Sequence, residues 1–227
     1  MDILKILEGT REREVIDALS AVYAGIEARQ GAWKAAASFS FPDACGDCCR
    51  HFEPDLLECE ALYLAAWLLE NDPAAARRLM DGGYESANNA DGCILFEPAS
   101  AYHCTVYGGR CLICRLFGYA GDYDKEGRRR WKPCRFYPAD SLYPFEHRVY
   151  GQEGLDARFS APLPVMADFM AQALALTPDG GGRMEPLREA LPKALRKLML
   201  IACMKGFDDD GDNDNGGGNG TPAPLSA

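Results

Sequence analysis

Apolar side chains recur at helical spacing in the first third of the chain. In residues 12–30 the apolar positions are three or four apart, which predicts an amphipathic helix. Residues 55–70 (DLLECEALYLAAWLLE) are apolar all round, which is typical of a buried helix, and Pro54 suits its first position. A short helix is predicted to begin at Asp72–Pro73 and to end at Gly82 and Gly83.

Helical patterns return near the end of the chain. They cover residues 164–176 and, after a triple glycine at 180–182, residues 186–204. Pro192 lies inside the second pattern, so we expect it to kink or split that helix.

The stretch from residue 92 to 144 has a different pattern. Short β-prone pieces at 93–96 and 105–107 lie between turn signals, and residues 121–137 predict a hairpin whose turn is Asp124-Lys125-Glu126-Gly127. This stretch holds few apolar residues with which to build a core. We expect it to need an external fastener such as a bound metal.

These patterns predict an α+β fold that is mainly α, with helices packed around an irregular, cysteine-rich, metal-fastened middle that holds short strands. Residues 1–206 are long enough for one domain with its own core. Residues 207–227 are acidic and glycine-rich, and we expect them to be disordered. They carry five of the aspartates behind the net charge of −10, so the total charge says little about any one face.

Cysteine is the residue type that points to chemistry, with ten in 227 residues. Nine of them fall within residues 41–140, the predicted metal-binding core, and all of these except Cys59 are candidate ligands. Two pairs in that core have the C-x2-C spacing that aims two thiolates at one ion. The eight candidate ligands are Cys45, Cys48, Cys49, Cys93, Cys104, Cys111, Cys114 and Cys134.

The metal itself is left open between zinc and iron. Two C-x2-C pairs can close a tetrahedral zinc site, and the same thiolates could hold an iron–sulfur cluster. Cys48 and Cys49 are adjacent, so in an extended chain their side chains point to opposite sides. Either one of them is spare, or they face different sites, or the site is polynuclear.

Two blocks of this core resemble the YkgJ-type cysteine-cluster family, whose domain is described as zinc- or iron-chelating. CGDCCR at 45–50 is similar to the end of that family's CxxxCxxCC signature, and the helix predicted after it, with Glu60 and Ala61 inside, is similar to the helix that follows. CTVYGGRCLICR at 104–115 resembles the family's second block, C-x-[IV]-Y-x-x-R-P-x-x-C-R, and KPCR at 132–135 is similar to the same ending.

The chain departs from that family pattern at two positions. Phe41 stands where the signature has its first cysteine, and Cys111 stands where the second block has proline. The resemblance implies metal binding. Flagellin lysine N-methylases carry a similar cluster, which suggests methyl transfer as a distant analogy.

Other interpretations of the cysteines are a set of disulfides, unliganded buried thiols, or a nucleophilic Cys–His pair that uses His51 or His103. Either histidine could also replace a thiolate on zinc. Cys59 and Cys203 lie among apolar residues, and we expect both to be buried and structural.

Four arginines stand beside these cysteines and could offset the charge of a thiolate site by donating to sulfur. They are Arg50, Arg110, Arg115 and Arg135.

Composition and motifs limit the partners. The chain has no secretory signal and no apolar run long enough to span a membrane, so we expect a cytoplasmic protein without a membrane partner. The acidic balance makes nucleic acid unexpected, although basic residues crowd the hairpin tip beside aromatic ones. A protein partner is possible.

Three functions follow from these predictions. The first is a cytoplasmic protein that chelates zinc or iron, including an iron–sulfur cluster. The second is an enzyme that uses this centre for methyl transfer or redox chemistry. The third is an interaction module held by structural zinc, with the basic hairpin meeting an acidic partner.

Overall fold

The fold is known from a computed structural model, which describes residues 2–36, 45–83, 92–137, 145–177 and 182–211. Phe41, the triple glycine up to residue 181 and the predicted tail beyond residue 211 lie outside these ranges. The described part is mainly helical with a few short strands, which confirms an α+β, mainly α architecture.

The described helices are α1 (Ile3–Ile6), α2 (Arg11–Ala35), α3 (Glu58–Asn71), α4 (Pro73–Met80), α5 (Leu112–Leu116), α6 (Gln152–Asp156), α7 (Met166–Leu174) and α8 (Leu187–Gly211). The strands are β1 (Asp55–Leu56), β2 (Asp122–Tyr123), β3 (Arg129–Trp131), β4 (Tyr150–Gly151) and β5 (Glu185–Pro186). Single 3₁₀ turns lie at Asp47–Arg50 and Tyr107–Gly109.

Local capping explains where two of the predicted helices begin. The Thr10 hydroxyl accepts a hydrogen bond from the Arg13 N–H at 3.2 Å and so caps α2. The Asp72 carboxylate caps α4 by accepting from the Ala75 N–H at 2.9 Å, and Pro73 occupies the first helical position as predicted.

The predicted start of α3 at Pro54 is wrong. Asp55 and Leu56 form β1, which pairs antiparallel with β5 near the other end of the sequence, and α3 begins only at Glu58. The pairing partner lies about 130 residues away, so the local apolar pattern could not distinguish a strand from a first helical turn.

The middle of the chain forms fewer strands than its β-prone pieces predict. Residues 93–96 and 105–107 are turns, joined only by an isolated bridge between Phe96 and Cys104. The predicted hairpin is confirmed, since Asp122 pairs with Arg130 and Tyr123 with Arg129. β4 adds a third strand to it through the pairing of Trp131 with Tyr150.

Of the two outcomes predicted for Pro192, a kink or a split, the split does not occur, because α8 continues through Pro192 as one element. Pro192 removes one backbone hydrogen bond. Leu191, Leu195 and Leu198 on the buried face of α8 have no exposed surface, and this packing against α3 holds the helix together. α8 also extends to Gly211, beyond the predicted start of the tail at residue 207.

Three apolar clusters stabilise the described part of the chain. The largest joins α3, α4 and α8, and it includes the buried cysteines Cys93 and Cys111. An aromatic cluster around Trp33 and Trp131 lies beside the three-stranded sheet, and a third cluster joins α2 to α7. The cysteine-rich middle therefore rests on the main core. Within the described ranges, no helix combines the length and the apolar character that crossing a membrane requires.

A matched pair of substitutions on α8 tests this core. Leu195 is fully buried and Leu200 is 62% exposed on the same helix. We expect Leu195→Ala to lower the free energy of unfolding by about 2–5 kcal/mol, because it leaves a cavity between α3 and α8. Leu200→Ala should change it by less than about 0.5 kcal/mol. Urea denaturation measures both, and equal effects would contradict this packing.

Candidate metal centre

All eight cysteines predicted as metal ligands line one cavity of about 130 Å³. They arrive from four separate parts of the chain: the 3₁₀ turn at Asp47–Arg50 with Cys45 before it, the turns around Cys93 and Cys104, the start of α5, and the loop that follows β3. The remaining two cysteines, Cys59 and Cys203, do not line it. The fold thus brings together thiols up to 89 residues apart in sequence, from Cys45 to Cys134.

The turn that carries Cys45, Cys48 and Cys49 is fixed by a close approach at Gly46. Gly46 has a φ of 64°, and a Cβ there would lie 2.5 Å from the Cβ of His103. Only glycine satisfies both constraints. The Cys93 N–H donates to the Cys49 carbonyl at 2.9 Å, so this turn is also joined to the next cysteine segment.

Two pairs of sulfur atoms are already close together. Cys111 and Cys114 lie one helical turn apart at the start of α5, with their Sγ atoms separated by 3.2 Å. The Sγ atoms of Cys48 and Cys49 are 3.9 Å apart. At a zinc–sulfur distance of about 2.3 Å, neighbouring sulfurs of a tetrahedral site are about 3.8 Å apart. The Cys48 and Cys49 sulfurs therefore have the separation of two ligands of one ion, whereas the Cys111 and Cys114 sulfurs would have to move apart by about 0.6 Å to reach it.

A complete ligand set is not preassembled. Across the described residues, no three or more His, Cys, Asp or Glu side chains are arranged to hold a metal ion. The other thiols face the same cavity, so a third and fourth ligand require rotation of cysteine side chains within it. Cysteine thiolates are ligands that both zinc and iron accept. The structure places two pairs of their sulfur atoms close together.

A buried carboxylate on α3 fixes the C-x2-C segment. Glu60 Oε1 accepts a hydrogen bond from the Leu112 N–H at 2.6 Å, and Glu60 Oε2 accepts from the Leu57 N–H at 3.0 Å. The first bond satisfies a backbone donor at the start of α5, next to Cys111. Burial raises the pKa of Glu60 although both hydrogen bonds favour its charged form.

Arg115 supports the same wall of the cavity through the backbone. Its Nε donates to the Arg110 carbonyl at 2.8 Å and its Nη2 to the Gly108 carbonyl at 2.6 Å. Its Nη1 donates to Glu27 Oε1 on α2 at 2.9 Å, and its guanidinium lies 4.1 Å from the centre of the Tyr23 ring. Its three nitrogens thus contact oxygen atoms, and Arg115 braces the turn that precedes Cys111.

The other three arginines have different surroundings. Arg110 lines the cavity, donates from Nε to the Tyr107 carbonyl at 2.8 Å, and stacks on the Tyr107 ring. Arg135 is exposed and lies over the Phe136 ring. Arg50 is also exposed, 3.6 Å from the Asp47 carboxylate. Positive charge therefore reaches the cavity mainly through Arg110.

Burial keeps most of the thiols protonated. It raises the pKa of Cys93 to about 12, and it raises the pKa values of Cys45, Cys104 and Cys134. The hydrogen bond with Cys111, followed by burial, raises the pKa of Cys114 well above its usual value. Metal binding here would release protons, because zinc and iron bind the thiolate.

The adjacent pair behaves differently from the other thiols. The hydrogen bond between Cys48 and Cys49 lowers the pKa of Cys48 to about 7 and raises the pKa of Cys49. Ionisation of one thiol of this pair therefore opposes ionisation of the other.

The alternative candidates lie elsewhere. His51 is exposed, His103 Nδ1 lies 3.0 Å from the Pro98 carbonyl, and neither ring lines the cavity. Cys59 is buried as predicted, 3.6 Å from the Ala173 carbonyl. The predicted burial of Cys203 is wrong, since it is exposed on the same part of α8 as Leu200 and Met204. All ten cysteines fall in the described ranges, and none forms a disulfide.

The basic hairpin tip is largely neutralised by its own acidic neighbours. Arg128 Nε lies 2.9 Å from Asp124 Oδ2, and Arg129 Nη2 lies 3.3 Å from Asp156 Oδ1. Trp131, which could have stacked on a base, is only 1% exposed. These contacts weaken the interpretation of the hairpin as a nucleic-acid interface.

Sequence reasoning missed two features of the cavity. Aromatic side chains form much of its wall and mouth, among them Phe52, Phe117, Tyr119 and Tyr137. The role of Glu60 was also missed. An acidic residue inside an otherwise apolar helix was the available signal, because a buried carboxylate needs hydrogen-bond donors.

Comparison with known proteins adds no relative: no family model, no curated protein and no solved structure matches this chain. The resemblance to the YkgJ-type family therefore rests on the quoted residue blocks alone.

Replacing Glu60 with alanine tests the link between α3 and α5. Glu60→Ala leaves the N–H groups of Leu57 and Leu112 buried without an acceptor, which costs about 1–3 kcal/mol for each group. Glu58→Ala is the matched control, because Glu58 is half exposed and its ion pair with Lys197 contributes at most about 1 kcal/mol. Urea denaturation compares the two, and similar losses would contradict the role of Glu60.

The raised pKa of Glu60 predicts a specific pH dependence. Its stabilising contribution is present below the usual pKa of 4.5 and is lost as pH rises through the higher folded value. The side chain in Glu60→Gln cannot ionise. As pH rises over that interval, the free energy of unfolding of the wild type should therefore fall relative to that of the variant. Glu58→Gln should follow the wild type. A constant difference across the interval would contradict the raised pKa.

Proposed function

We propose that this protein is a metal-binding protein that holds zinc or iron through its clustered cysteines. The observation that carries the proposal is the single cavity lined by eight of the ten cysteines. Side chains up to 89 residues apart meet there, and the Sγ atoms of Cys48 and Cys49 have the separation of two ligands to one ion, while those of Cys111 and Cys114 are closer still. Packing alone gives no reason to gather eight thiols at one place.

The alternatives to a metal have less support. The thiols are not paired in disulfides, and cytosolic cysteines are normally kept reduced. A nucleophilic cysteine needs a neighbouring base, whereas His51 and His103 stay outside the cavity. The turns around Cys93 and Cys104 have little regular structure, so a metal would fasten them as it fastens other irregular domains.

Zinc and iron both fit the donors. Each accepts an all-thiolate set, and the 3.9 Å between the Sγ atoms of Cys48 and Cys49 suits two ligands on the same zinc or iron atom. Such a centre supplies structural fastening when its coordination is closed, and Lewis-acid or redox chemistry when a position is open. A cytoplasmic location belongs to this proposal, because thiols must remain reduced to bind.

One observation favours the enzymatic alternative. Phe52 and Phe117 line the cavity and are 39% and 40% exposed, so the thiol-lined space has an aromatic mouth through which a small substrate could reach it. Methyl transfer and redox chemistry both remain candidates. The interaction-module alternative has less support, because acidic neighbours neutralise the hairpin arginines.

Anaerobic purification with metal analysis tests the proposal. We expect stoichiometric zinc without sulfide and without colour, or iron with inorganic sulfide and a broad absorption band near ~400 nm. Cys114→Ser should lower the bound metal, because it removes one sulfur of the 3.2 Å pair.

Cys203→Ser is the matched control for this experiment, because Cys203 is exposed on α8 and outside the cavity. Its metal content should equal that of the wild type. A folded wild-type protein that contains neither metal after anaerobic purification, and takes up neither when reconstituted, would refute the proposal.

A further inference from the structure

The sulfur atoms of Cys111 and Cys114 lie closer together than two ligands of a common ion do. Their separation of 3.2 Å falls between the about 3.8 Å of two sulfurs on a tetrahedral zinc ion and the about 2.05 Å of a disulfide bond. The two cysteines are three positions apart at the start of α5, so their side chains lie on one face. Rotation of these side chains can therefore bring the sulfurs either onto one ion or onto each other.

The backbone around this pair is held without help from the sulfur atoms. Glu60 Oε1 accepts a hydrogen bond from the Leu112 N–H at 2.6 Å, and Arg115 Nε donates to the Arg110 carbonyl at 2.8 Å. The Arg115 N–H donates to the Cys111 carbonyl at 3.1 Å, which closes the turn between the two cysteines. A bond between the sulfurs therefore requires no refolding of this segment.

The second close pair of sulfurs, on Cys48 and Cys49, does not suit a disulfide. Neighbouring Cα atoms are about 3.8 Å apart across a trans peptide bond, whereas the Cα atoms of ordinary disulfides are about 4.4–6.8 Å apart. The two sulfurs are 3.9 Å apart, which is the separation of two ligands on one ion. The two close pairs thus suit different chemistry.

The position of Cys111 and Cys114 limits the oxidant that can reach them. Both line the cavity, and Cys111 is only 2% exposed. A water molecule needs about 10–15 Å³ of such space, so the cavity of about 130 Å³ admits a molecule as small as hydrogen peroxide. A hydroperoxide is therefore the class of oxidant that fits this site.

We propose that Cys111 and Cys114 form a reversible disulfide with hydrogen peroxide as oxidant, and that the cavity releases its metal when they do. Formation of the disulfide concerns the two thiols alone, whereas release of the metal rests on the proposed function. Disulfides in a reducing compartment are usually transient ones of this kind.

The reaction takes two electrons from the pair of sulfurs. One sulfur attacks an oxygen of hydrogen peroxide, so that the O–O bond breaks, a sulfenic acid forms and the first water leaves. The other sulfur attacks the sulfenic sulfur, so that the S–O bond breaks, the S–S bond forms and the second water leaves. The two protons required come from the thiols or, where a metal had replaced them, from solvent. A zinc ion keeps its charge and loses two of its ligands.

Peptide mapping of the peroxide-treated full chain tests the disulfide. Trypsin cleaves after Arg110 and Arg115, so one peptide, CLICR, carries both cysteines. The Cys203→Ser chain is used, because the exposed thiol of Cys203 would consume oxidant. It is purified anaerobically, loaded with zinc, treated with an equimolar amount of peroxide, and then unfolded in iodoacetamide.

We expect the CLICR peptide to lose the mass of two hydrogen atoms and to resist iodoacetamide until dithiothreitol is added. The peptide of residues 35–50, which carries Cys48 and Cys49, should remain open to alkylation. Zinc released into solution should rise in proportion to the disulfide, and anaerobic dithiothreitol should reverse both changes.

Cys111→Ser in the same background is the matched variant, because it removes one partner of the 3.2 Å pair. Its Cys114 should gain oxygen under peroxide, and its peptide should show no loss of two hydrogen atoms. If this variant fails to fold, the CLICR peptide of the Cys203→Ser chain still decides the question.

The outcomes separate this inference from the proposed function. A CLICR peptide that stays alkylatable while other cavity cysteines are oxidised overturns the inference and leaves metal binding intact, as does pairing of Cys111 or Cys114 with a different cysteine. A disulfide that forms while zinc stays bound overturns the release of metal. If the chain binds neither zinc nor iron, the proposed function and the release of metal both fail, and the peptide still decides whether the disulfide forms.

Discussion

The thiols around the cavity cannot all ionise without positive charge among them, and this electrostatic constraint governs the middle of the molecule. Burial raises the pKa of Cys93 to about 12, and like charges raise the pKa values of its neighbours further. Among the described side chains, only Arg110 brings a cation into the cavity lining. A bound metal ion would supply the missing charge and at the same time join the turns that carry the cysteines.

The helices position this cavity from outside it. Glu60 on α3 holds the start of α5, and Arg115 joins the backbone before Cys111 to Glu27 on α2. One wall of the cavity is therefore attached to the main core. Other parts of the lining come from the turns at Gly46 and Cys104, which are held by close packing against His103, by the bridge between Phe96 and Cys104, and by the hydrogen bond from the Cys93 N–H to the Cys49 carbonyl.

The sequence predicted the parts of the fold whose signal is local. Apolar periodicity identified α2 and α3, capping residues identified α4, and the Asp124–Gly127 turn identified the hairpin. Sequence-based prediction failed where the conformation or exposure of a residue depends on contacts with segments distant in the chain. Leu56 is in a strand because Glu185 pairs with it, and Cys203 is exposed because the opposite face of α8 packs on α3. C-x2-C spacing marked candidate ligands. Spacing alone does not predict the hydrogen bonds of Glu60 or the gathering of eight thiols around one cavity.

Clustered thiolates are the proposed ligands of the metal. X-ray absorption at the metal K-edge of the anaerobically purified protein tests this proposal most directly, because it reports the atoms bound to the ion and their distances. We expect a shell of four sulfur atoms, at about 2.3 Å if the metal is zinc. A shell made only of nitrogen and oxygen at about 2.0–2.2 Å would contradict it, because the metal would then be bound outside the cysteine-lined cavity.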